Sequence, residues 1–209
     1  MTETTGPDLL KAAFALVAER GWRGFRRTEL ARRAGVSLAR VYDELPTRAS
    51  LVTALGRHLD RAMLEADPSE LDGMTPRERV FELVMRRLDA MAPFRDGLRA
   101  IGRDAGLDLL GLSCENVGRA MGWLLDASGA ELHGLRRAGA GPVLALVYAR
   151  TFNVWLRDDT PDHAKTMAEL DKRLSQAESL ARWTEWMEGP RRRAEAAEDT
   201  GPEPEPEAA

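Results

Sequence analysis

Between Arg20 and Arg57 the chain carries nine arginines (20, 23, 26, 27, 32, 33, 40, 48 and 57) against three acids, Glu29, Asp43 and Glu44, a local excess of six positive charges. Guanidinium groups gathered in one stretch suit phosphate, because only local charge releases the counterions condensed on a nucleic acid. An arginine also presents a planar fork of donors that fits guanine O6 and N7, at about 1–3 kcal/mol of discrimination per good pair. The whole chain is nevertheless at −4, and its tail after Arg193 holds six acids and no base. Charge is thus separated along the chain, the distribution that an electrostatic footprint on DNA requires.

Other residue types that could do chemistry lack the spacing for it. "GLSCEN" is not the G-x-S-x-G turn of a serine nucleophile, there is no G-x-x-x-x-G-K-[ST] loop, and His58, His133 and His163 form no H-E-x-x-H pair. Cys114, the single cysteine, can form no internal disulfide and has no cysteine partner for zinc; it is expected to be a small buried residue in a reducing compartment. The acids of "DDTPD" (Asp158, Asp159, Asp162) are expected to cap a helix with Pro161 in its first turn, not to hold a metal. No catalytic residue, metal or cofactor is expected, and the chain is not expected to be an enzyme.

The elements that position the arginines follow from periodicity. With 44% hydrophobic and 31% charged residues, the 209-residue chain has the composition of a soluble globular protein. It has no run of roughly 20 apolar residues and opens on the acidic "MTETTGPD", so a cytoplasmic protein that does not enter the membrane is expected. Apolar residues recur at three and four throughout, which predicts an all-α fold. Leu10, Ala13, Phe14 and Val17 make one face of a first helix closed by Gly21. "TELARRA" makes a second, Gly35 permits a left-handed turn, and Ser37 caps a short third helix from Leu38 to about Leu45, which Pro46 ends. Thr47 caps a fourth, with Leu51, Leu55, Leu59 and Met63 along one stripe.

Turn formers at Asp67, Pro68, Asp72, Gly73 and Pro76 then mark a boundary. The expected organisation is a disordered start (1–6), a helix-turn-helix domain (7–66), a C-terminal helical domain (75–188) and a disordered acidic Pro/Glu tail (189–209). Within the C-terminal part, helices are expected over about Arg77 to Met91, Phe94 to Ala105 and Leu107 to Ala127. "SGAELHGLRRAGAG" is expected to be a loop or one short helix. The long helices "PVLALVYARTFNVWLRD" and "PDHAKTMAELDKRLSQAESLARWTEWM" finish the fold.

A helix, a glycine-containing turn and a short second helix form the helix-turn-helix unit, whose second helix enters the major groove. From Leu9 to Leu51 the sequence "LLKAAFALVAERGWRGFRRTELARRAGVSLARVYDELPTRASL" closely resembles the DNA-binding domain of the TetR family of transcriptional regulators, without a gap. The resemblance rests on "AERGW", "LARRAGVS", the "VY" pair, and Pro46 followed by Thr47 and Arg48. It implies an N-terminal three-helix DNA-binding bundle and a C-terminal helical domain that binds a small effector and forms a homodimer on a double-stranded DNA operator. Carried over, Tyr42 bonds a phosphate, Arg48 sits at the N-terminus of helix four beside the backbone, and Leu38, Ala39, Arg40 and Val41 face the groove. Arg26, Arg27, Thr28, Ser37 and Thr47 complete the expected DNA surface.

Asp43 and Glu44 depart from the family pattern, which has a basic or histidine pair there. They oppose the helix dipole, and Glu44 has either Arg40 at i,i+4 or Arg48 across the turn within reach. An effector pocket is expected around Phe94, Leu110, Cys114, Met121, Trp123, Leu125, Phe152 and Trp155, with Asn116, His133 or Asn153 as polar contacts. A dimer interface is expected on the last two helices, through Val143, Val147, Val154, Met167, Leu170, Leu174, Ala177 and Ala181, with Trp183 and Trp186 placed either there or back on their own subunit. The function expected is a repressor released by a small apolar or amphipathic effector. The second reading is a TetR-like fold that binds lipid or protein instead of DNA, as in lipid-binding factors of ubiquinone biosynthesis.

Overall fold

The structure, a computed structural model, describes residues 6–65, 67–104, 107–130, 132 and 134–179, and no strand occurs among them. Helix α1 (Pro7–Gly24) starts with proline at its first position and buries Leu9, Leu10, Ala13, Phe14, Leu16 and Val17. Its regular part stops at Gly21, whose φ of 73° is open to glycine and strained for other residues. Trp22 and Phe25 then turn into the core, and α2 (Arg27–Ala34) ends at Gly35 with φ 65°. Ser37 caps α3 (Leu38–Glu44), its hydroxyl accepting from the Arg40 amide at 3.1 Å. Pro46 and the reciprocal Thr47–Ser50 capping box open α4 (Arg48–Leu64).

A second capping box, Thr75 with Glu78, opens α5 (Pro76–Met91). Then come α6 (Arg95–Asp104), α7 (Leu107–Ala127), α8 (Gly134–Trp155) and α9 over residues 164–179. One apolar core runs from α1 into the C-terminal helices. Helix α6 lies against α1, where Phe14 and Phe94 meet edge to face at 5.3 Å. Helix α4 packs on α5 and α7, and Arg77 ties α5 to α9 through Asp171 at 2.6 Å.

The α1–α6 packing depends on one small residue. A Cβ at Gly97 would stand 2.7 Å from the Phe14 carbonyl oxygen, which belongs to the backbone of a helix and cannot swing aside. Gly97→Ala is therefore expected to cost about 1–3 kcal/mol, seen as a lower urea midpoint at constant slope. A midpoint equal to the wild type would mean that α6 does not lie on Phe14.

Two C-terminal expectations are corrected. The glycine-rich "SGAELHGLRRAGAG" is not mostly loop: α8 begins at Gly134, eight residues before Pro142, which lies inside the helix. Proline there removes the bond to the Ala138 carbonyl, but both residues are exposed, so water can satisfy that oxygen. Pro161 is not in the first turn of α9, because the helix starts three residues later, with Asp162 accepting from the Ala164 amide at 3.2 Å. Asp158 instead organises this corner: it is buried and accepts from the amides and hydroxyls of Thr160 and Thr166 at 2.5–3.1 Å. Burial alone would raise its carboxyl; the four hydrogen bonds prevail and hold it well below the usual carboxylate range.

Candidate nucleic-acid interface

Helix α3 is short enough that one buried residue fixes its orientation. Val41 is wholly buried beside Leu30 and Leu45 in the same core, which turns the opposite face outward. That corrects the expectation that Val41 faces the groove: at this spacing it anchors the helix. Leu38 is 50% exposed and Tyr42 68% exposed, unusual for large apolar or aromatic residues, and Ala39 and Arg40 are exposed with them. Ser37 and Thr47 are also exposed, each with its side chain committed to a helix cap.

Leu38 and Tyr42 form one wall of a cleft of about 440 Å³ whose other lining residues are Phe25, Arg26, Arg27, Thr28 and Arg48. Arg48 is drawn toward it by hydrogen bonds from Nη2 to the carbonyls of Arg23 and Phe25 at 3.3 and 3.4 Å, and Arg26 Nη1 reaches the same Arg23 carbonyl at 3.4 Å. Among the described residues, Arg26, Arg27 and Arg48 have no carboxylate partner. Cations around an open cleft beside two helix N-termini, α2 and α4, make a site for phosphate oxygens. Elsewhere the local positive excess is spent internally: Arg20 pairs with Glu29 at 3.1 Å and Arg33 with Glu19 at 2.7 Å. The hydrogen bonds of the second pair raise Arg33 and lower Glu19 from their ordinary values.

The two acids of α3 separate in role. Glu44 is turned inward: one carboxylate oxygen accepts from Arg40 Nε at 2.7 Å and the other from the Gly6 amide at 3.1 Å, where α1 begins. It therefore fastens α3 to the start of α1, and of the two partners open to it in the sequence it takes Arg40. Asp43 is exposed on the helix surface. Asp43→Asn is expected to tighten binding to a random duplex by roughly 2–5-fold at low salt without altering the melting temperature, since an exposed charge near phosphate is worth under about 1 kcal/mol. Affinity unchanged in a fluorescence-anisotropy titration would mean that Asp43 points away from DNA.

A TetR transcriptional regulator from Nitrosomonas europaea is similar to this chain at 25% identity with a TM-score of 0.68, over 81% of this chain and 95% of that one. The chain has the TetR-family fold. Two Rhodococcus sp. RHA1 regulators share it, a TetR regulator at 17% identity (TM-score 0.55, 81% and 91% covered) and a transcriptional regulator at 20% (TM-score 0.54, 83% and 95% covered). The family model for COQ9 matches residues 141–181, within α8 and α9 and just beyond. No curated protein matches.

In the C-terminal half of the TetR-like fold the residues expected to form the pocket line neither of the two clefts described there. Phe94 packs on Phe14 and His58, while Met121 and Leu125 are buried in the core. Trp155 is also buried, stacked on Phe152 at 5.8 Å and covered by the Arg95 guanidinium at 4.1 Å. Cys114 and Trp123 are exposed, against the expectation of a buried cysteine, whereas Ala120, Met121 and Leu124 of the same helix are buried. Asn116 is buried and Asn153 exposed. The side chain of Leu110, and His133, lie outside the described residues. Two clefts in this half are lined by other residues, one of about 570 Å³ between Phe81, Arg77 and Asp171, the other of about 270 Å³ between Met63, Leu83 and Ala127.

The expected interface is also redrawn. Val147, Leu170 and Leu174 are buried within their own chain, and Val143, Val154, Met167 and Ala177 are half-buried. Leu146, 59% exposed, faces outward with Pro142, Ala149 and Asn153 on one stripe of α8. Ala181, Trp183 and Trp186 lie outside the described residues. No described helix is long and apolar enough to cross a membrane.

Sequence reasoning missed a buried ionic cluster. Asp60 of α4 accepts from Arg87 of α5 and from Arg119 Nε of α7 at 3.1 Å, and Arg87 Nε donates to the Tyr148 hydroxyl of α8 at 3.2 Å. The signal was available: Arg87 occupies an inward position between Val84 and Leu88, and Asp60 follows Leu59 on the inward side of α4. A charge in an apolar register announces a buried partner.

Proposed function

We propose that the chain is a cytoplasmic, DNA-binding transcriptional regulator acting as a homodimer, and that it represses until a small effector binds. The observation that carries this is the exposed Leu38–Tyr42 face of α3 set beside the cleft of Arg26, Arg27 and Arg48, cations with no carboxylate partner among the described residues. Tyr42 and those arginines hold phosphates, the caps at Ser37 and Thr47 fix the helix ends against the backbone, and Arg40 with Leu38 and Ala39 meets base edges. Arg40 arrives already partnered by Glu44, so affinity comes mainly from the flanking arginines.

The exposed stripe of α8 around Leu146, flanked by Val143 and Val154, together with α9 supplies the contact between two copies across a twofold axis. A dimer presents two α3 helices for half-sites about 34 Å apart on one face of the duplex. An effector that binds better to a domain spacing incompatible with that distance releases the DNA, and only this difference in affinity can do so. Footprinting on the DNA flanking the chain's own gene tests the proposal: a protected site of two half-sites one turn apart, weakened in Tyr42→Phe, is expected. Absence of any protected site with the purified dimer sinks it.

The second reading, a fold that has given up DNA for a lipid or protein partner, has one specific support. The COQ9 family match falls on the segment that carries the exposed Leu146 stripe. Lipid co-purifying with the chain, found by mass spectrometry together with no protected site, would favour it.

A further inference from the structure

The charged cluster at the meeting of α4, α5, α7 and α8 is not balanced. Among the described residues Asp60 is its single anion against two guanidinium groups, and burial raises the Tyr148 phenol, despite the pull of Arg87, so that the hydroxyl stays neutral. One positive charge is left over in a region where Asp60, Arg87 and Asn116 are all buried. An uncompensated charge in such a place is costly unless something completes it.

Two further observations locate the missing partner. Arg119 Nη2 is out of contact with solvent and has no hydrogen-bond acceptor among the described residues, although the side chain as a whole is 33% exposed and so reachable from the surface. Gly56 lies opposite: a Cβ there would come within 3.1 Å of both Arg119 Nη2 and Asn116 Oδ1. The guanidinium edge and the Asn116 amide thus converge on α4 at a residue without a side chain. Asn116 Nδ2 makes only a long bond, 3.4 Å, to the Val52 carbonyl. Leu55 and Leu59 on α4 and Ala120 and Met121 on α7, the neighbours of these polar residues along the same helices, are buried and apolar.

We propose that this cluster is the polar anchor of an effector site and that the effector is an amphipathic monoanion, a carboxylate with an apolar body. The carboxylate accepts from Arg119 Nη2 beside Asn116 and cancels the single excess charge; the apolar body lies along the α4–α7 seam. A dianion would overshoot the charge, and a neutral ligand would leave it standing. The site's role as a switch rests on the regulator reading, because α4 carries Arg48 at one end and Asp60 near the other; its existence as a binding site does not.

Octanoate and its neutral isostere octanamide, added to the full chain, test the proposal. Octanoate is expected to raise Tm by roughly 3 °C or more at saturation with one molecule bound per chain in a calorimetric titration, and octanamide to leave Tm unchanged. Arg119→Gln is expected to weaken octanoate at least about tenfold. Gly56→Ala keeps every charge but presses a methyl group against Arg119 Nη2 and Asn116 Oδ1, 3.1 Å from each, and so displaces the anchor; it is expected to weaken octanoate similarly, so it carries the test should Arg119→Gln not fold. Equal responses to octanoate and octanamide, no response to octanoate, or an octanoate response intact in either folded variant overturns the anchor. Duplex binding measured on the same samples separates the two ideas: octanoate binding without DNA binding overturns the regulator, and DNA binding without an octanoate response overturns the anchor alone.

Discussion

Asp60→Asn is expected to destabilise the fold by about 3–5 kcal/mol, because it leaves the buried Arg87 and the partly buried Arg119 facing each other with no anion between them. Asparagine matches the shape of aspartate, so the loss reports charge and not packing. Arg119→Gln, which removes the excess cation, should cost far less. The arginine substitution Arg87→Met in the Asp60→Asn background is expected to cost less than the sum of the two single changes, since each removes a charge that the other leaves exposed to its like. Urea unfolding of these variants beside the wild type at pH 7 gives all these differences. A loss below about 1 kcal/mol for Asp60→Asn would mean that water reaches the cluster and that the two arginines are solvated there.

The second large effect concerns DNA. Replacing Arg26, Arg27 and Arg48 together by alanine is expected to lower duplex affinity by at least about 100-fold near 100 mM salt and to reduce the slope of log K against log salt by about 2–3, roughly one for each phosphate no longer neutralised. Arg20→Ala with Arg33→Ala serves as the control, since those guanidinium groups are held by Glu29 and Glu19. It removes as much formal charge per residue and is expected to change the slope by less than about one. Arg48 also holds the carbonyls of Arg23 and Phe25, so the triple variant should melt slightly lower, and its circular dichroism shows whether it remains helical. Equal slopes for the triple variant and the wild type would place the phosphates elsewhere.

The parts of this fold that were legible in the sequence are those set by local chemistry. Gly21 and Gly35 stand where φ is positive, and Ser37 and Thr47 cap the helices that their positions announced. Such signals act within about four residues, so a single chain displays them. What failed needed knowledge of partners in space. Val41 and Leu38 differ little in hydropathy, and only the packing of α3 on α2 decides that one is core and the other surface. Val147, Leu170 and Leu174 belong to an apolar seam, but a seam does not say whether its partner is the same chain or another copy. The start of α8 was hidden because a proline suits the first turn of a helix better than its middle, and here it stands in the middle, on the exposed side, where its cost is reduced. Glu44 shows the same limit in reverse: the acid that seemed hostile to a DNA reader is largely withdrawn from the surface, anchoring the Gly6 amide, and leaves Asp43 as the acid exposed on α3.

The central claim is that this TetR-like chain binds DNA through the face built by α3 and the cleft of Arg26, Arg27 and Arg48. The salt dependence of wild-type binding to a labelled duplex from the flanks of its own gene, compared with a scrambled duplex of equal length, tests it most directly. A log–log slope at least as steep as about −4 is expected for two copies of the face, with the native duplex bound at least about 1000-fold more tightly than the scrambled one. A slope near zero, or equal affinity for the two duplexes across the salt range, would contradict it.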